Sequence, residues 1–399
     1  MATLPALDTD PAVGKFRDEV RRWLAENWLG ERQAAHHRKP FKERGWDAEF
    51  SRLLGRKGWI GLGWPKEAGG QARSPSEQLA FVEETRYVDA PTGFHNVGET
   101  IVGPSLIKYG TAEQKAEYLP AFLRGERSFA LGYSEPEAGS DLASLRTRAV
   151  RDGGDWVING QKLWSTGGDK AENVWLATRT DPDAKPKHAG ISVFLVSLKS
   201  KGITIRPSMA MYGKTFSAVF YDDVRVPAGA MVGEINNGWR VITDALAAER
   251  VMIGNLVAHL RRVFDRVTEH VKTARPGGTP LRDDAVVRDR LGALAAEIEV
   301  ARQFVLRNAR VVESGRAPLY EAAMSKVFAG ELQERLSEAA LDLIGSGALL
   351  SEDAATAPIG ELEQVLRHSI MGVIGGGTAE IQRNVIALRG LNLPRPGGG

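Results

Sequence analysis

Residues 132–141, GYSEPEAGSD, lie where the pattern of the sequence changes from helical to strand-like. Before them, from about residue 10 onward, apolar residues recur at helical spacing, as Phe16, Val20 and Leu24 do. After them the pattern has a period of two as far as about residue 233, and helical spacing returns over about 236–390. The order helices, sheet, helices predicts an α+β fold, with domain boundaries at 1–128, 129–235 and 236–399.

Within the middle region, short apolar runs separated by Gly, Pro, Asp and Lys clusters predict strands and a β-barrel or sandwich of about 100 residues. The predicted strands are 174–178, 191–198, 203–207 and 218–226. Asn159-Gly160 predicts a tight hairpin turn between 155–158 and 161–164, because this dipeptide tolerates positive φ angles. Before the sheet, Thr111 and Gln114 are spaced as a capping box that opens a helix toward Tyr118.

Composition excludes several classes of function. The chain has 399 residues, 26% of them charged, with a net charge of +2, which gives no global reason to expect nucleic-acid or membrane binding. It has no cysteine, so disulfides and thiolate chemistry are excluded. The seven histidines are scattered, and only His36 and His37 are adjacent, which does not predict a metal site. No apolar run reaches 18 residues and no signal-like N-terminus is present, so we expect a cytoplasmic enzyme.

Three segments are candidates for ligand contact, each with a plainer interpretation. The loop 132–141 offers short hydroxyls and backbone N–H groups to a polar planar ligand, although its composition alone favours an ordinary surface turn. Trp164-Ser165-Thr166 offers a stacking plane beside two hydroxyls, or simply an aromatic core residue at a strand end. The glycines at 375–377 permit close backbone approach, and Thr378 can cap a helix whose N-terminus attracts anions; a plain helix entry fits equally well.

Glu249 is a carboxylate on a mostly apolar helical stretch. Such a group can have a raised pKa and act as a general base. Taken from the residues alone, an ion pair or a solvated helix face is the more common role.

Taken together, these segments resemble the acyl-CoA dehydrogenase family. Residues 133–141 are similar to its flavin-contacting loop, and 159–166 to a second signature. Residues 220–227 resemble the strand that leaves its β-domain, 377–383 its C-terminal signature, and 110–120 part of its N-terminal domain. The resemblance extends over about residues 10–395 in the family's order and spacing.

The resemblance implies an N-terminal helical domain, a middle β-barrel or sandwich and a C-terminal four-helix bundle. It implies FAD bound between the β-domain and the C-terminal helices, completed by a neighbouring subunit of a homodimer or homotetramer. The substrate would be an acyl-CoA or acyl-carrier-protein thioester, and an electron-transferring flavoprotein would take the electrons. The cofactor-binding residues that it implies are Tyr133, Ser134, Gly139, Ser140, Trp164, Ser165, Thr166, Arg275, Thr378 and Glu380.

The implied chemistry removes an α-proton from the thioester while a hydride leaves the β-carbon. Many members place the base immediately before the Gly-Thr pair of the C-terminal signature, where this sequence has Gly376. A minority, typified by isovaleryl- and long-chain acyl-CoA dehydrogenases, place it on a helix directly before an arginine, as in Glu249-Arg250. We therefore expect Glu249 to be the base and the Gly376 N–H to hold the thioester carbonyl, with Ser140, Arg250 and Gly375 also contacting substrate.

Two departures from the family pattern bear on function. Glycines in place of the loop base leave room for branched, aromatic or polycyclic acyl groups. The arginine that reaches a neighbour's FAD phosphates is displaced by one position, to Arg275, and Arg282 could substitute. This puts FAD affinity or the identity of the pairing subunit in question, so a partner subunit of a hetero-oligomeric dehydrogenase is an alternative. A flavin monooxygenase or oxidase on the same fold is the other alternative.

Overall fold

A computed structural model describes residues 10–249, 254–275, 280–351 and 357–395, without the side chains of 246–249. Within these residues the chain forms two compact units. The helical unit contains 10–34, 74–90 and the residues from 254 onward, and the mixed unit contains 35–73 and 91–249.

The helices are, in chain order, α1 (Pro11–Asn27), α2 (Glu31–His37), α3 (Ala48–Lys57), α4 (Pro75–Tyr87), α5 (Gly93–Val97), α6 (Gly103–Tyr109), α7 (Ala112–Leu123), α8 (Gly238–Glu249), α9 (Gly254–Thr273), α10 (Ala285–Glu313), α11 (Leu319–Ile344), α12 (Leu362–Ile374) and α13 (Ala379–Val385). The predicted capping box opens α7: the Gln114 N–H donates to Thr111 Oγ1 at 3.2 Å, and the Thr111 N–H donates to Gln114 Oε1 at 3.1 Å. No helix of the described residues is long and apolar enough to cross a membrane.

The core of the helical unit lies among α9, α10, α11 and α12, as predicted for a C-terminal helical bundle. Apolar side chains that recur at helical spacing on these helices pack against one another there, together with Leu79 of α4. Representative buried members are Leu260, Ile298, Leu332, Leu336 and Val365.

The strands all lie in the mixed unit: β1 (Phe129–Gly132), β2 (Arg148–Asp152), β3 (Asp155–Thr166), β4 (Asn173–Arg179), β5 (Ile191–Ser197), β6 (Ile203–Met209), β7 (Thr215–Pro227) and β8 (Met231–Val232). The four strands predicted from the sequence correspond to β4, β5, β6 and β7. The strand order is β6-β7-β3-β2-β4-β5-β8, and β1 also pairs in parallel with β4.

The sheet consists of two halves, because β2 and β4 meet only at the pair Arg148 and Arg179. Inward-facing residues of the two halves share one core, where the Trp156 ring of β3 lies 5.4 Å from the Phe194 ring of β5. This shared core between two strand layers agrees with the predicted barrel or sandwich.

The predicted hairpin turn at Asn159-Gly160 is wrong, because β3 runs unbroken through both residues. The turn lies instead at Gly153-Gly154, between the paired residues Asp152 and Asp155. Asn159 sits at an irregularity in the β3–β7 pairing, where its amide exchanges hydrogen bonds of 2.9 and 3.0 Å with Asp223. A Cβ on Gly160 would lie 2.7 Å from Thr147 Cα, so close packing rather than a turn requires glycine.

Candidate functional site

The loop that follows β1 is closed on itself by backbone hydrogen bonds. Glu135 and Ala138 exchange N–H···O bonds of 3.0 and 3.1 Å, which makes a tight turn around Pro136. The Glu135 carboxylate then accepts from the N–H groups of Arg146 at 2.7 Å and Thr147 at 2.9 Å. The two ends of the segment are thereby joined, and the loop is built into the sheet rather than left as a free surface turn.

A buried ion pair fastens this loop to β3. Lys162 Nζ lies 2.7 Å from Glu135 Oε1, with the two side chains 0% and 7% exposed. The same ammonium donates to the Tyr133 carbonyl at 3.0 Å. Burial lowers the pKa of Lys162 to about 8, with Glu135 opposing it. Burial also raises the pKa of Glu135, but Lys162 and the two N–H donors outweigh this and leave that pKa below its usual value.

The end of β3 brings the second predicted segment to the first. The Leu163 N–H donates to the Ser134 carbonyl at 2.8 Å. The next residue, Trp164, lies at a bulge in the β3–β7 pairing and has φ +64°, which is rare for a bulky residue and strained. The residue is 57% exposed, and its indole lies 4.4 Å from the Phe216 ring, centroid to centroid. A strained, exposed aromatic beside a hydrogen-bonding loop is typical of a ligand contact.

The remaining predicted residues of these two segments differ in exposure. Thr166, Gly139 and Ser140 are exposed, and Tyr133 and Ser134 are half-buried. Ser165 is buried opposite Ser217, and its Oγ has no hydrogen-bond partner among the described residues. The Tyr133 hydroxyl accepts from Trp175 Nε1 at 3.0 Å, which fixes that side chain from the sheet side.

Helix α8, which ends at Glu249, packs within the mixed unit against α6, β5 and one turn of π-helix, Gly98–Val102. Asp244 near its middle accepts from Lys108 Nζ at 2.5 Å and also from the Tyr109 hydroxyl. The helix that bears the predicted base is thus tied to α6. The Glu249 side chain and Arg250 lie outside the described residues.

Glu99 of the π-helix belongs to a polar cluster, with His95 of α5 and Ser51 of α3, that sequence reasoning missed. The Gly61 N–H donates to Glu99 Oε1 at 2.9 Å, and His95 Nε2 lies 3.9 Å from Glu99 Oε2. His95 Nδ1 and Ser51 Oγ are hydrogen-bonded at 2.8 Å. Burial raises the pKa of Glu99 to about 7 and lowers the pKa of His95 to about 4. Both groups are therefore predominantly uncharged near pH 6, and no sequence motif marks them.

In the helical unit, the glycine segment joins α12 to α13. Gly376 and Gly377 have φ angles of +68° and +89°, and a Cβ on Gly376 would meet no atom of the described residues within 4 Å. Thr378 caps α13 by accepting from the Ile381 N–H at 3.3 Å, and Gln382 Nε2 donates to the Gly376 carbonyl at 3.1 Å. The predicted cap is confirmed, and glycine is required here by the backbone angles.

The other predicted residues of the helical unit lie at its surface. Glu380 is exposed in the first turn of α13, and its pKa is lowered by hydrogen bonds from its own backbone and from Thr378. Gly375 is half-buried at the end of α12. Arg275 is exposed just after α9, and Arg282 is exposed in the short helical turn Leu281–Asp283.

Comparison with known proteins gives matches along nearly the whole chain. The models of the N-terminal, middle and C-terminal domains of acyl-CoA dehydrogenase match residues 11–126, 130–224 and 236–391. Acyl-CoA dehydrogenase FadE26 of Mycobacterium tuberculosis is 40% identical over 352 residues, which is 86% of each protein. The solved "Tcur3481-Tcur3483 steroid ACAD" has a TM-score of 0.90 at 35% identity, over 98% of this chain and 100% of that one. The ChsE4-ChsE5 complex from Mycobacterium tuberculosis has a TM-score of 0.89 at 37% identity, with the same coverage.

Proposed function

Because this chain belongs to the acyl-CoA dehydrogenase family of FAD-dependent oxidoreductases that act on CH–CH bonds, we propose that it introduces an α,β double bond into a bulky acyl-CoA thioester, with Glu249 as the base. The observation that carries the proposal is the Gly376 position, which in many members holds the base and here is glycine in open space.

The donor set of the mixed unit fits a flavin. The exposed Trp164 indole offers a stacking plane, and Thr166 beside it offers an exposed hydroxyl. The Leu163–Ser134 hydrogen bond keeps this strand end next to the Tyr133-Ser134 loop, whose backbone would face the ring. Tyr133, Ser134, Gly139, Ser140, Trp164, Ser165 and Thr166 are the proposed cofactor residues of this unit, and Arg275, Thr378 and Glu380 those of the helical unit.

When bound, FAD supplies the acceptor for the β-hydride. The chain's own residues must make the α-proton acidic enough to be removed by a carboxylate. The Gly376 N–H does this by donating a hydrogen bond to the thioester carbonyl, because it stabilises the negative charge that develops on that oxygen. Glu249 takes the proton, while Ser140, Arg250 and Gly375 hold the thioester.

The proposal of a bulky acyl substrate rests on the position of the proposed base, which lies at the end of α8 instead of in the loop before α13. Glycine at 376 leaves the volume that a side chain would fill, and its φ of +68° would strain any residue with a Cβ. The solved relative whose name contains "steroid ACAD" supports a polycyclic acyl group. We therefore propose a branched, aromatic or polycyclic acyl-CoA as substrate, with an electron-transferring flavoprotein as the electron acceptor.

The domain boundaries, the homodimer or homotetramer and the cytoplasmic location stay predictions from the sequence.

The test mixes the FAD-loaded protein anaerobically with straight-chain, branched, aromatic and polycyclic acyl-CoAs and records loss of flavin absorbance. Glu249→Gln should slow bleaching by about a hundredfold or more, because general-base catalysis is worth about 10² to 10⁴. Glu234→Gln is the matched control, since Glu234 is exposed in the same unit, and it should bleach at the wild-type rate.

Each outcome separates one alternative. Preference for unbranched chains would refute the bulky-substrate proposal while leaving the reaction class intact. Unimpaired bleaching by Glu249→Gln would assign the base elsewhere. A purified chain that binds no flavin would favour the partner-subunit alternative, and oxygen consumption by the reduced protein would favour an oxidase or monooxygenase.

A further inference from the structure

We propose that Lys162 is a positioning residue for the flavin: its buried ammonium fixes the backbone of residues 133–135 and thereby sets the affinity for FAD. The inference rests on the proposed assignment of Tyr133 and Ser134 to the cofactor. Neither Lys162 nor Glu135 is among the residues proposed above to contact the cofactor or the substrate.

One side chain, that of Lys162, bonds two loop residues that are separated by a single position. Lys162 Nζ donates to the Tyr133 carbonyl at 3.0 Å and to Glu135 Oε1 at 2.7 Å. The residue between them is held by the neighbouring strand position, because the Leu163 N–H donates to the Ser134 carbonyl at 2.8 Å. The backbone that would face the ring is therefore fixed at its carbonyls 133 and 134, and the next residue is held through its side-chain carboxylate.

The far end of the same segment is fixed by a second cation. Arg179 donates to the Ala143 carbonyl at 2.5 Å and to the Leu145 carbonyl at 3.2 Å. Glu135 joins the two ends by accepting from the N–H groups of Arg146 and Thr147. Lys162 holds the end of the segment that contains the proposed flavin contacts, and Arg179 holds the opposite end. Loss of Lys162 should therefore make the first end mobile while Arg179 still fixes the second.

The burial of the Lys162–Glu135 ion pair indicates that the pair serves to position the loop rather than to stabilise the fold. Replacing a buried ion pair by apolar residues is often neutral or stabilising, because both charges lose their hydration. Lys162 is fully buried and uses its donors on a backbone carbonyl as well as on Glu135. An apolar pair of similar volume would fill the same space but would leave the Tyr133 carbonyl without that donor.

The test compares four holoenzyme variants with the wild type: Lys162→Met, Glu135→Gln, the double variant E135Q/K162M, and Lys170→Met as the matched control. Lys170 Nζ also donates to a backbone carbonyl at 3.0 Å, but Lys170 is exposed and that carbonyl belongs to Lys42, outside the 132–141 loop. Each protein is measured for thermal midpoint, for the dissociation constant of FAD by fluorescence, and for the shape of the flavin absorption band.

Lys162→Met should lower the thermal midpoint, because Glu135 is left buried without its cation. The double variant should recover part of that midpoint, because the uncompensated charge is gone, although the amide nitrogen that E135Q introduces faces one of the N–H groups of Arg146 and Thr147. It should still bind FAD about tenfold to a hundredfold more weakly than wild type, with an altered flavin band. Lys170→Met should match wild type in all three measurements. If the double variant folds and binds FAD within twofold of wild type, the pair is only structural and the inference is wrong. If wild type itself binds no FAD, the proposed function fails instead.

Discussion

A buried charge cluster in the helical unit and one in the mixed unit are built differently. In the helical unit, Arg17 of α1 donates to Glu84 and Glu83 of α4, both at 2.7 Å, and Arg302 of α10 donates to Glu83 at 2.8 Å. Every partner in these bonds is a side chain on a helix. In the mixed unit, Lys162 bonds a carboxylate that itself holds loop N–H groups, and it bonds a loop carbonyl directly.

The difference separates two uses of a buried charge. A cluster of arginines and glutamates between helices fixes how those helices pack, so its disruption should appear as lost stability. A lysine that bonds loop backbone fixes the shape of a loop, so its disruption should appear as lost ligand affinity. The partners of a buried charge therefore indicate its role better than its burial does.

The largest expected effect tests the first half of this comparison. Arg302→Leu leaves Glu83 with Arg17 alone in a site where all three side chains are at most 5% exposed. Removing one member of a buried ion pair costs about 3 to 5 kcal/mol when the remaining charge is left uncompensated. Because Glu83 keeps Arg17, we expect a loss at the lower end, about 3 kcal/mol. Urea unfolding should show this loss, and the affinity of the folded protein for FAD should change less than twofold.

The matched control is Arg335→Leu. Arg335 bonds Glu297 with two nitrogens at 3.0 and 2.7 Å, but both side chains are more than a third exposed. Such a surface pair is worth less than about 1 kcal/mol. Equal losses from the two variants would remove the distinction drawn between buried and exposed arginines.

A second effect comes from Glu99 and His95, which avoid buried charge by staying neutral. Below about pH 7 the folded state keeps a proton on Glu99 that the unfolded state has lost above about pH 4.5, so this group makes stability fall as pH rises between these values. His95 does the opposite: the unfolded state binds a proton between about pH 4 and 6.5 that the folded state excludes, so stability falls as pH falls through this range. In the wild type the two slopes cancel over the shared window.

Single variants remove the cancellation. Relative to wild type, Glu99→Gln should lose stability as pH falls from 7 to 4.5, and His95→Asn should lose it as pH rises from 4 to 6.5. Each change should approach about 3 kcal/mol, because one unit of pKa shift corresponds to about 1.4 kcal/mol. Urea unfolding at half-unit pH steps measures both profiles. Flat differences for both variants would mean that the pair titrates alike in the folded and unfolded states.

The order of helices and sheet, four strands and the α7 cap could be predicted from sequence, because each depends on local periodicity or capping. The Asn159-Gly160 turn could not, because Gly160 is required by the close approach of Thr147, the residue before β2, which local sequence does not report. Lys162 was missed for a similar reason. A lysine in an alternating strand is normally solvent-facing, and only the fold places Glu135 beside it.

The smallest effect on stability is expected from substituting Trp164. This residue extends the comparison to a proposed ligand contact that carries no charge. Trp164→Ala should cost less than about 1.5 kcal/mol, the upper range for an aromatic pair, because the residue is 57% exposed and its indole packs against Phe216. Trp59→Ala in the same unit removes the indole of a residue only 1% exposed, and should cost about 3 to 5 kcal/mol. FAD affinity should respond in the opposite order, with a clear loss for Trp164→Ala and little change for the folded fraction of Trp59→Ala. If Trp164→Ala weakened the fold as much as Trp59→Ala, its strained backbone would serve packing rather than binding.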